Sequence, residues 1–282
     1  MLGLPELDSH LEGRHRKHAA SLHSRSGRGA RGLNSPGLNS LGTTDRGRAG
    51  PLILALDCIG STCSVAVAAG DDVLQLTQLE MAHGQAEALL PLVDSAMRQA
   101  ALPASAIDLV AVTTGPGSFT GIRVGLAAAH GVALGLGAPL IGVSGFDAAV
   151  AALGDAARPA RVLLVALESR RADLYIQLFD AALRPLGAAM AALPDGLAET
   201  VQAAVGAALV AITGDAASRA AAALAARRIA SIIKDGGPPV LGALRVALRR
   251  WRRAEPAGPV RPLYLRPPDV TVAGRPPTAG RA

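Results

Sequence analysis

Aromatic residues are scarce in this sequence: three Phe, two Tyr and one Trp make up 2% of its 282 residues. Half of the chain is nevertheless hydrophobic, so a core must be built mainly from Ala, Leu and Val. Such small side chains pack closely, which favours helices layered on a sheet. The length allows one large domain or two ordinary ones.

Cysteine and histidine are also rare. Cys58 and Cys63 are the only cysteines, which excludes a disulfide framework and a cysteine zinc site and fits a reducing compartment. Four of the six histidines fall within the first 50 residues, leaving His83 and His130. Neither an H-E-x-x-H nor an H-x-x-x-H pattern occurs, which excludes a peptidase with two metal-binding histidines on one helix face. His83 and Glu87 could form a ligand pair, but the start of a helix explains both, and we predict no metal site.

Positive charge is concentrated at the two ends of the chain. The first 50 residues carry a net charge of +4 and residues 245–282 carry +7, whereas residues 51–244 carry −5. The basic ends could meet phosphates or could simply be solvated tails. The apolar stretch 126–143 contains His130, several glycines and Pro139, and the N-terminus has no apolar signal region. We therefore predict no membrane segment and a cytoplasmic protein.

Composition divides the chain into four parts. Residues 1–50 are polar, glycine-rich and aperiodic, and they are predicted to be a disordered basic extension that the mature protein need not contain. Residues 51–156 and 157–255 are predicted to be two folded lobes, with a linker near 154–159. Residues 256–282 are predicted to be a C-terminal tail.

Periodicity predicts the same order of elements in both lobes. The first lobe has predicted strands at 52–57, 63–68, 73–80, 107–113 and 140–143, and helices at 83–100, 121–136 and 145–153. The second has predicted strands at 162–167, 173–179, 183–189 and 209–213, and helices at 198–208, 216–227 and 238–250. Pro91 inside the first helix must kink it or shift its start towards Ala88. The repeat after about 110 residues suggests a duplicated domain.

The most distinctive stretch, 113–121, joins a buried strand to an apolar helix. Gly115-Pro116-Gly117 predicts a tight turn, and Ser118 or Thr120 can cap the helix. The free N–H groups of such a turn can bind an anion, although a capped connection without a ligand explains the sequence equally well. The stretch has neither the Gly-Lys-Ser/Thr ending of a P-loop nor the spacing of a dinucleotide-binding turn.

Five segments together carry a resemblance to a known family: 57–66, 83–91, 115–123 (Gly-Pro-Gly-Ser-Phe-Thr-Gly-Ile-Arg), 139–144 and 262–266. They resemble the bacterial TsaB (YeaZ) family, within the actin/Hsp70/sugar-kinase (ASKHA) superfamily. The resemblance implies an α/β fold with two similar actin/Hsp70-like lobes, mixed sheets flanked by helices, and a degenerate nucleotide cleft. It also implies a subunit that partners the TsaD protein in making the threonylcarbamoyl-adenosine modification of tRNA.

The resemblance places a nucleotide cleft between the lobes, of which the sequence keeps only part. The predicted vestigial nucleotide-loop residues are Asp57, Gly60, Ser61, Thr62, Gly115, Gly117, Ser118, Gly214 and Asp215. The corresponding turn of the second lobe, 168–173, has no glycine, so its backbone should not approach a phosphate closely. We therefore expect no catalytic residues and no required cofactor, with ADP or ATP bound at a partner interface as a further option. A nucleotide-binding ATPase or kinase-like enzyme is the alternative function.

A partner-binding surface is expected on two helices of the first lobe. Five glycines within 121–137 indicate close approach by another element, either this chain's own sheet or a partner. The resemblance assigns contact with TsaD, or with a second copy of the chain, to these helices. The predicted interface residues are Leu89, Leu90, Val93, Gly121, Arg123, Gly125, Ala128, Ala129 and Val132.

The segment 245–253 contains five arginines and Trp251. It is either a solvated helix end, whose arginines favour the negative end of the helix dipole, or a surface that touches tRNA phosphates. The sequence thus predicts a non-catalytic scaffold subunit that binds and activates a TsaD-like catalytic homologue, alongside a TsaE-like ATPase. A homodimer is a further option for its assembly, and glycoprotease activity is not expected.

Overall fold

The computed structural model describes residues 50–81, 83–154, 162–206 and 209–266. The predicted extension, apart from residue 50, lies outside the described residues, as does most of the predicted linker. Within the described ranges the chain forms ten strands and six α-helices.

The first half of the chain forms a five-stranded mixed sheet. Its strands are β1 (Leu52–Asp57), β2 (Thr62–Ala69), β3 (Asp72–Glu80), β4 (Leu109–Thr113) and β5 (Leu140–Val143). The strand order is β3-β2-β1-β4-β5. β1, β2 and β3 form an antiparallel meander, whereas β4 and β5 run parallel to β1. The helices of this half are α1 (Gln85–Gln99), α2 (Phe119–Leu136) and α3 (Gly145–Ala152).

The second half repeats this plan. Its strands are β6 (Val162–Glu168), β7 (Leu174–Asp180), β8 (Met190–Ala192), β9 (Val210–Thr213) and β10 (Ser231–Ile233), and its helices are α4 (Pro194–Val205), α5 (Ala217–Ala226) and α6 (Pro239–Arg252). The strand order β8-β7-β6-β9-β10 and the strand directions match those of the first sheet. The predicted fold class, two similar α/β lobes with mixed sheets, is confirmed.

The central strand β1 is buried at all six positions because helices cover both faces of its sheet. Successive side chains of a strand point to opposite faces. Leu52, Leu54 and Leu56 pack with α1 and α2, whereas Ile53 and Ala55 pack with α3 and α6. A continuous apolar run therefore becomes a central strand, as in other sheets covered on both sides.

Helix α3 lies between the two sheets and joins their cores. Its Ala148 and Ala151 belong to the cluster formed with α6 and the first sheet. Its Phe146 packs on the other side with Leu163, Phe179 and further residues of the second sheet. Two of the few aromatic side chains are thus fully buried between the sheets.

The second lobe departs from the predicted elements at two strands. The strand predicted at 183–189 is interrupted by a tight turn, in which the Ala182 and Arg184 N–H groups donate to the Asp180 carboxylate. An isolated bridge between Phe179 and Pro185 follows, and strand β8 begins later, at Met190. Pro185 lacks the N–H that a regular ladder would need. The short edge strand β10 was not predicted because three residues carry too little periodicity.

All six predicted helices are present, with different ends at several of them. α1 begins at Gln85 and contains Pro91 in its interior, so the alternative start near Ala88 is wrong. α4 begins at Pro194, four residues before the predicted start, because proline is favoured in the first turn of a helix. Ser118, not Thr120, caps α2 by accepting a hydrogen bond from the Gly121 N–H.

Candidate functional site

A cleft of about 380 Å³ opens between the two sheets at the carboxyl ends of β1, β6 and β9. In sheets of this kind, ligands bind beyond the carboxyl ends of the strands. Six of the nine predicted nucleotide-loop residues line it: Asp57, Gly60, Ser61, Thr62, Gly214 and Asp215. Gly117 and Ser118 line a neighbouring pocket instead, and Gly115 lines neither of the two.

Asp57 ends β1 and is almost completely buried. Its Oδ1 accepts a hydrogen bond of 2.5 Å from the Thr113 hydroxyl and one of 3.3 Å from the Ile59 N–H. Burial raises the pKa of Asp57 to about 6 because it penalises the charged carboxylate, and the negative charge of Asp215 adds to this effect. The two hydrogen bonds act in the opposite direction but do not cancel the cost of burial.

The Gly-Pro-Gly loop approaches protein backbone rather than an open ligand site. A Cβ atom at Gly117 would lie 2.2 Å from the Ile59 carbonyl oxygen, and one at Gly115 would lie 2.6 Å from the Leu263 carbonyl oxygen. The Ser118 N–H, an amide that could have faced an anion, donates to the Ile59 carbonyl at 2.8 Å. The glycines of this loop are therefore explained by packing within the chain.

The turn of the second lobe, 169–173, uses its own side chains to satisfy its backbone. The Arg171 N–H donates to the Ser169 hydroxyl at 3.1 Å, and that hydroxyl donates to the Asp173 carboxylate at 2.8 Å. One residue before the turn, the Glu168 N–H donates to the Asp215 carboxylate at 2.9 Å. Two amides at this turn, those of Glu168 and Arg171, are thus already hydrogen-bonded to side chains and are not free to bind a phosphate.

Arg170 crosses from this turn to the first lobe. Its Nη2 donates a 2.8 Å hydrogen bond to the carbonyl oxygen of Gly60. Its backbone has a φ of 60°, a left-handed conformation that glycine adopts more easily. A long cationic side chain therefore joins the two turns between which the phosphates of a nucleotide would have to lie.

The β9 end of the cleft is acidic and tightly packed. Gly214 has a φ of 106°, and a Cβ atom there would lie 2.1 Å from the Ala166 carbonyl oxygen, so only glycine fits. Burial raises the pKa of Asp215, and the Glu168 carboxylate adds to this shift. Two carboxylates with raised pKa, Asp57 and Asp215, face a space that would need positive charge to hold a triphosphate.

Several lining residues were not found from the sequence. Lys234, Asp235 and Gly236 follow β10 and line the cleft, and the polar, glycine-containing run 234–237 was a signal that could have identified them. Arg170 had no such signal, because its contact with Gly60 joins positions 110 residues apart. Within the described ranges, no group of three or more His, Cys, Asp or Glu could hold a metal ion.

The small-residue stripe of α2 faces the chain's own core, which corrects the predicted interface. Leu89, Gly121, Gly125 and Ala129 are buried. A Cβ atom at Gly121 would lie 2.0 Å from the Cys58 carbonyl oxygen, so this end of α2 rests directly on the end of β1. The close approach that the glycines indicated is therefore internal at this end of the helix.

Of the other predicted interface residues, only two are exposed. Val93, Ala128 and Val132 are half-buried against the core of the first lobe. Leu90 is 53% exposed, and Arg123 is exposed but stacks over the Phe119 ring at 3.7 Å and donates to the Tyr264 hydroxyl.

The outward side of α2 carries a different surface, largely of small and apolar residues beside the exposed His130; its residues Ala127, Gly131, Leu134 and Gly135 are called the α2 outer face. All four are exposed. Leu134 is 85% exposed, and a Cβ atom at Gly131 or Gly135 would have no neighbour within 4 Å. Another helix could approach the backbone closely here.

The predicted C-terminal tail is part of the fold as far as Arg266. The Leu263 N–H donates to the Thr114 carbonyl at 2.8 Å, and the Tyr264 ring packs on Phe119 with centroids 5.1 Å apart. Arg266 then forms an ion pair of 2.7 Å with the buried Asp173 carboxylate of the second lobe. Two sequence motifs of the resemblance, 115–123 and 262–266, therefore meet in the structure.

By length and hydropathy, α2 is long and apolar enough to cross a membrane, and it is the one such helix in the described part of the chain. Six of its residues are buried within the molecule. Packing on the first sheet therefore explains the apolar residues on the buried side of α2.

Comparison with known proteins agrees with the resemblance. Residues 80–200 match a family model described as TsaD, tRNA N6-adenosine threonylcarbamoyltransferase. The chain is 31% identical to the tRNA threonylcarbamoyladenosine biosynthesis protein TsaB of Haemophilus influenzae, over 44% of this chain and 51% of that protein. It is 40% identical to a tRNA N6-adenosine threonylcarbamoyltransferase of Jannaschia sp., over 34% of this chain and 33% of that one. These matches span about half or less of the two relatives.

A solved structure of YeaZ from Pseudomonas aeruginosa has the same fold. It superposes with a TM-score of 0.62 at 24% identity, covering 76% of this chain and all of that one. The sequence matches to TsaB proteins and the shared fold agree with one another, and they support a relationship of this chain to the TsaB (YeaZ) family.

Proposed function

We propose that this chain is a non-catalytic subunit of the machinery that makes N6-threonylcarbamoyladenosine in tRNA, and that it binds and activates a TsaD-like catalytic homologue. A role in threonylcarbamoyladenosine biosynthesis is supported by the TsaB relatives. The non-catalytic role is inferred from the hydrogen bonds of the second-lobe turn, 169–173. The amides of Glu168 and Arg171 are bonded to side chains, and Arg170 reaches Gly60 where a phosphate would lie.

Without a phosphate grip in the second lobe, a nucleotide cannot be positioned for transfer between the lobes. The chain would then act through a surface that binds another protein. On the α2 outer face, Leu134 offers an apolar side chain to bury, and Gly131 and Gly135 allow a partner helix to approach closely. A contact through exposed small residues beside one large apolar residue suits a partner helix, and the TsaD family model matches residues 80–200, a range that contains α2.

The direct test mixes the full chain with the TsaD-like homologue of the same organism and follows the complex by gel filtration. We expect the wild-type chain to form a heterodimer and Leu134→Arg to abolish it, because an arginine would place a charge in an apolar contact. Leu193→Arg is the matched control: Leu193 is 57% exposed but lies in the second lobe, before α4. Normal complex formation by Leu134→Arg, or equal loss with both variants, would overturn this assignment.

The alternative function is a nucleotide-using enzyme, favoured by the presence of a cleft of about 380 Å³ lined by Asp57 and Lys234. Titration of the isolated chain with Mg·ATP and an assay of phosphate release separate the two functions. We expect neither tight binding nor turnover by this chain alone. Micromolar binding with turnover would establish the enzyme instead.

The other expected features of the assembly are proposals of the same kind. The complex would work in the cytoplasm, with a TsaE-like ATPase as a further component. ADP or ATP would then bind, if at all, where this chain meets its partner. A homodimer through the α2 outer face is the state that the chain would adopt without a TsaD-like partner.

A further inference from the structure

The exposed side of α6 is made of arginines. Arg245, Arg249, Arg252 and Arg253 recur at steps of three and four and are all exposed, so they share one face of the helix; we call it the α6 arginine face. Val246, Ala247 and Leu248 point into the core formed with the first sheet. The four arginines span about 12 Å along the helix axis, at 1.5 Å per residue.

Carboxylates balance only part of this charge. Arg252 pairs with Asp71, and Glu255 lies 3.6 Å from Arg253. Glu255 is shared, since it also lies 3.8 Å from Arg250. The arginines therefore outnumber the acids that pair with them.

The other two arginines of the face have no carboxylate in an ion pair among the described residues. Arg245 donates to the Ala151 and Ala152 carbonyl oxygens at the end of α3, which are uncharged acceptors. Arg249 faces Asp147 at longer range, and burial together with the neighbouring Arg253 and Arg245 lowers the pKa of Arg249. A bound anion would lower the electrostatic repulsion between these guanidinium groups.

The shape of the face favours one class of polyanion. Guanidinium groups bind phosphate oxygens in pairs of hydrogen bonds, and a row of them can follow a backbone. The face has no exposed apolar side chain among its arginines that could insert into a bilayer, which disfavours a lipid surface. Trp251 is two residues from Arg249 and therefore on another side of the helix, so base stacking is not part of this contact.

We propose that the α6 arginine face binds the phosphate backbone of the tRNA substrate. This inference rests on the proposed function, because that function makes tRNA the relevant RNA. The contact would be largely independent of base sequence and would orient the tRNA relative to the catalytic partner. It adds a direct RNA contact to a subunit otherwise proposed to act through protein binding.

The test uses the full chain alone and a fluorescent, unmodified transcript of an ANN-decoding tRNA, with binding followed by anisotropy between about 50 and about 200 mM KCl. Arg249→Gln/Arg253→Gln should weaken binding by about 10-fold. It should also reduce the slope of log Kd against log salt by about 1.5, since each lost phosphate contact contributes about 0.7–0.9. Arg249→Lys/Arg253→Lys keeps both charges and should retain most of the binding.

The matched control is Arg227→Gln/Arg228→Gln, which removes two exposed arginines at the end of α5. It should bind tRNA like the wild type. Equal weakening by both pairs of substitutions, or an unchanged affinity and salt slope in Arg249→Gln/Arg253→Gln, would overturn the proposal. Binding to phosphatidylserine vesicles but not to tRNA, lost with the same two arginines, would assign the face to a membrane instead.

A second readout separates this proposal from the proposed function. Arg249→Gln/Arg253→Gln should still form the heterodimer with the TsaD-like homologue, because α2 and α6 pack on opposite faces of the first sheet. If Arg249→Gln/Arg253→Gln binds both the homologue and tRNA normally, the proposed RNA contact is wrong and the proposed heterodimer is unaffected. If the wild-type chain binds tRNA through these arginines but does not bind the homologue, the proposed heterodimer is wrong and the RNA contact is unaffected.

Discussion

The Thr113 hydroxyl donates a 2.5 Å hydrogen bond to the Asp57 carboxylate and thereby links the ends of the parallel neighbours β4 and β1. Both residues are almost completely buried. A hydroxyl can also accept a hydrogen bond, so Thr113 can serve either form of the carboxyl group. Asp57 is thus held by its own lobe, at the base of the cleft, without a cationic partner within hydrogen-bonding distance among the described residues.

Asp57→Asn should stabilise the protein above pH 6. Because the folded protein holds the proton on Asp57 up to a pKa of about 6 instead of 3.8, the contribution of this group to the free energy of unfolding falls as the pH rises between these values. Asparagine removes the buried charge, so the variant should gain about 1–3 kcal/mol at pH 8 relative to the wild type. Urea unfolding at pH 8 and pH 4 measures the difference.

The gain should disappear at pH 4, where Asp57 is protonated in the folded protein. Asp94→Asn is a suitable control because Asp94 lies on the exposed side of α1 and pairs only with Arg98 among the described residues. An equal difference between Asp57→Asn and the wild type at both pH values would show that burial of the charge is not the cause.

Two glycines of the same helix should respond in opposite directions to alanine. Gly121→Ala should destabilise the protein by about 2 kcal/mol or more, because its Cβ would meet the Cys58 carbonyl at 2.0 Å and α2 would have to move off β1. Gly131→Ala should stabilise it by about 0.5–1 kcal/mol, because nothing lies within 4 Å and alanine is the better helix former. Chemical denaturation of the two variants measures both effects.

Gly125→Ala provides an intermediate case, since its Cβ would make ordinary contacts of 3.7 Å with Cys58 and 3.8 Å with Val112. Because contacts at these distances carry no steric penalty, we expect alanine there to stabilise the protein by up to about 0.5–1 kcal/mol. If all three variants lost the same stability, helix propensity and packing would not explain the glycines, and the assignment of the stripe to the chain's own core would need revision.

The sequence predicted the elements whose periodicity is strong. β1 and α2 are long and regular, and each was predicted within two residues of its ends. β10 and β8 have three residues each, too few for a pattern, and their position depends on neighbouring strands. The duplication was visible because each half repeats strands and helices in the same order, which is a property of sequence alone.

The site was less predictable because it depends on distant contacts. The absence of glycine in 168–173 drew attention to the second-lobe turn, but the sequence could not show that Arg170 reaches Gly60. The stripe of small residues in α2 indicated close packing without its direction, since a helix can use such a stripe against its own sheet or a partner. Only the burial of Gly121 and Gly125 decides between them.

The ion pair between Arg266 and Asp173 should make the C-terminal segment a determinant of stability. Arg266→Ala would leave the nearly buried Asp173 carboxylate with the Ser169 hydroxyl as its remaining side-chain partner among the described residues. We expect a loss of about 2–3 kcal/mol, less than for a fully buried pair because Arg266 is 38% exposed. Asp173→Asn/Arg266→Ala should recover part of this loss, because the uncompensated charge is then absent. Denaturation of the two single variants and the double variant gives the coupling energy. Additive losses would mean that the segment is held by Tyr264 and Leu263 alone.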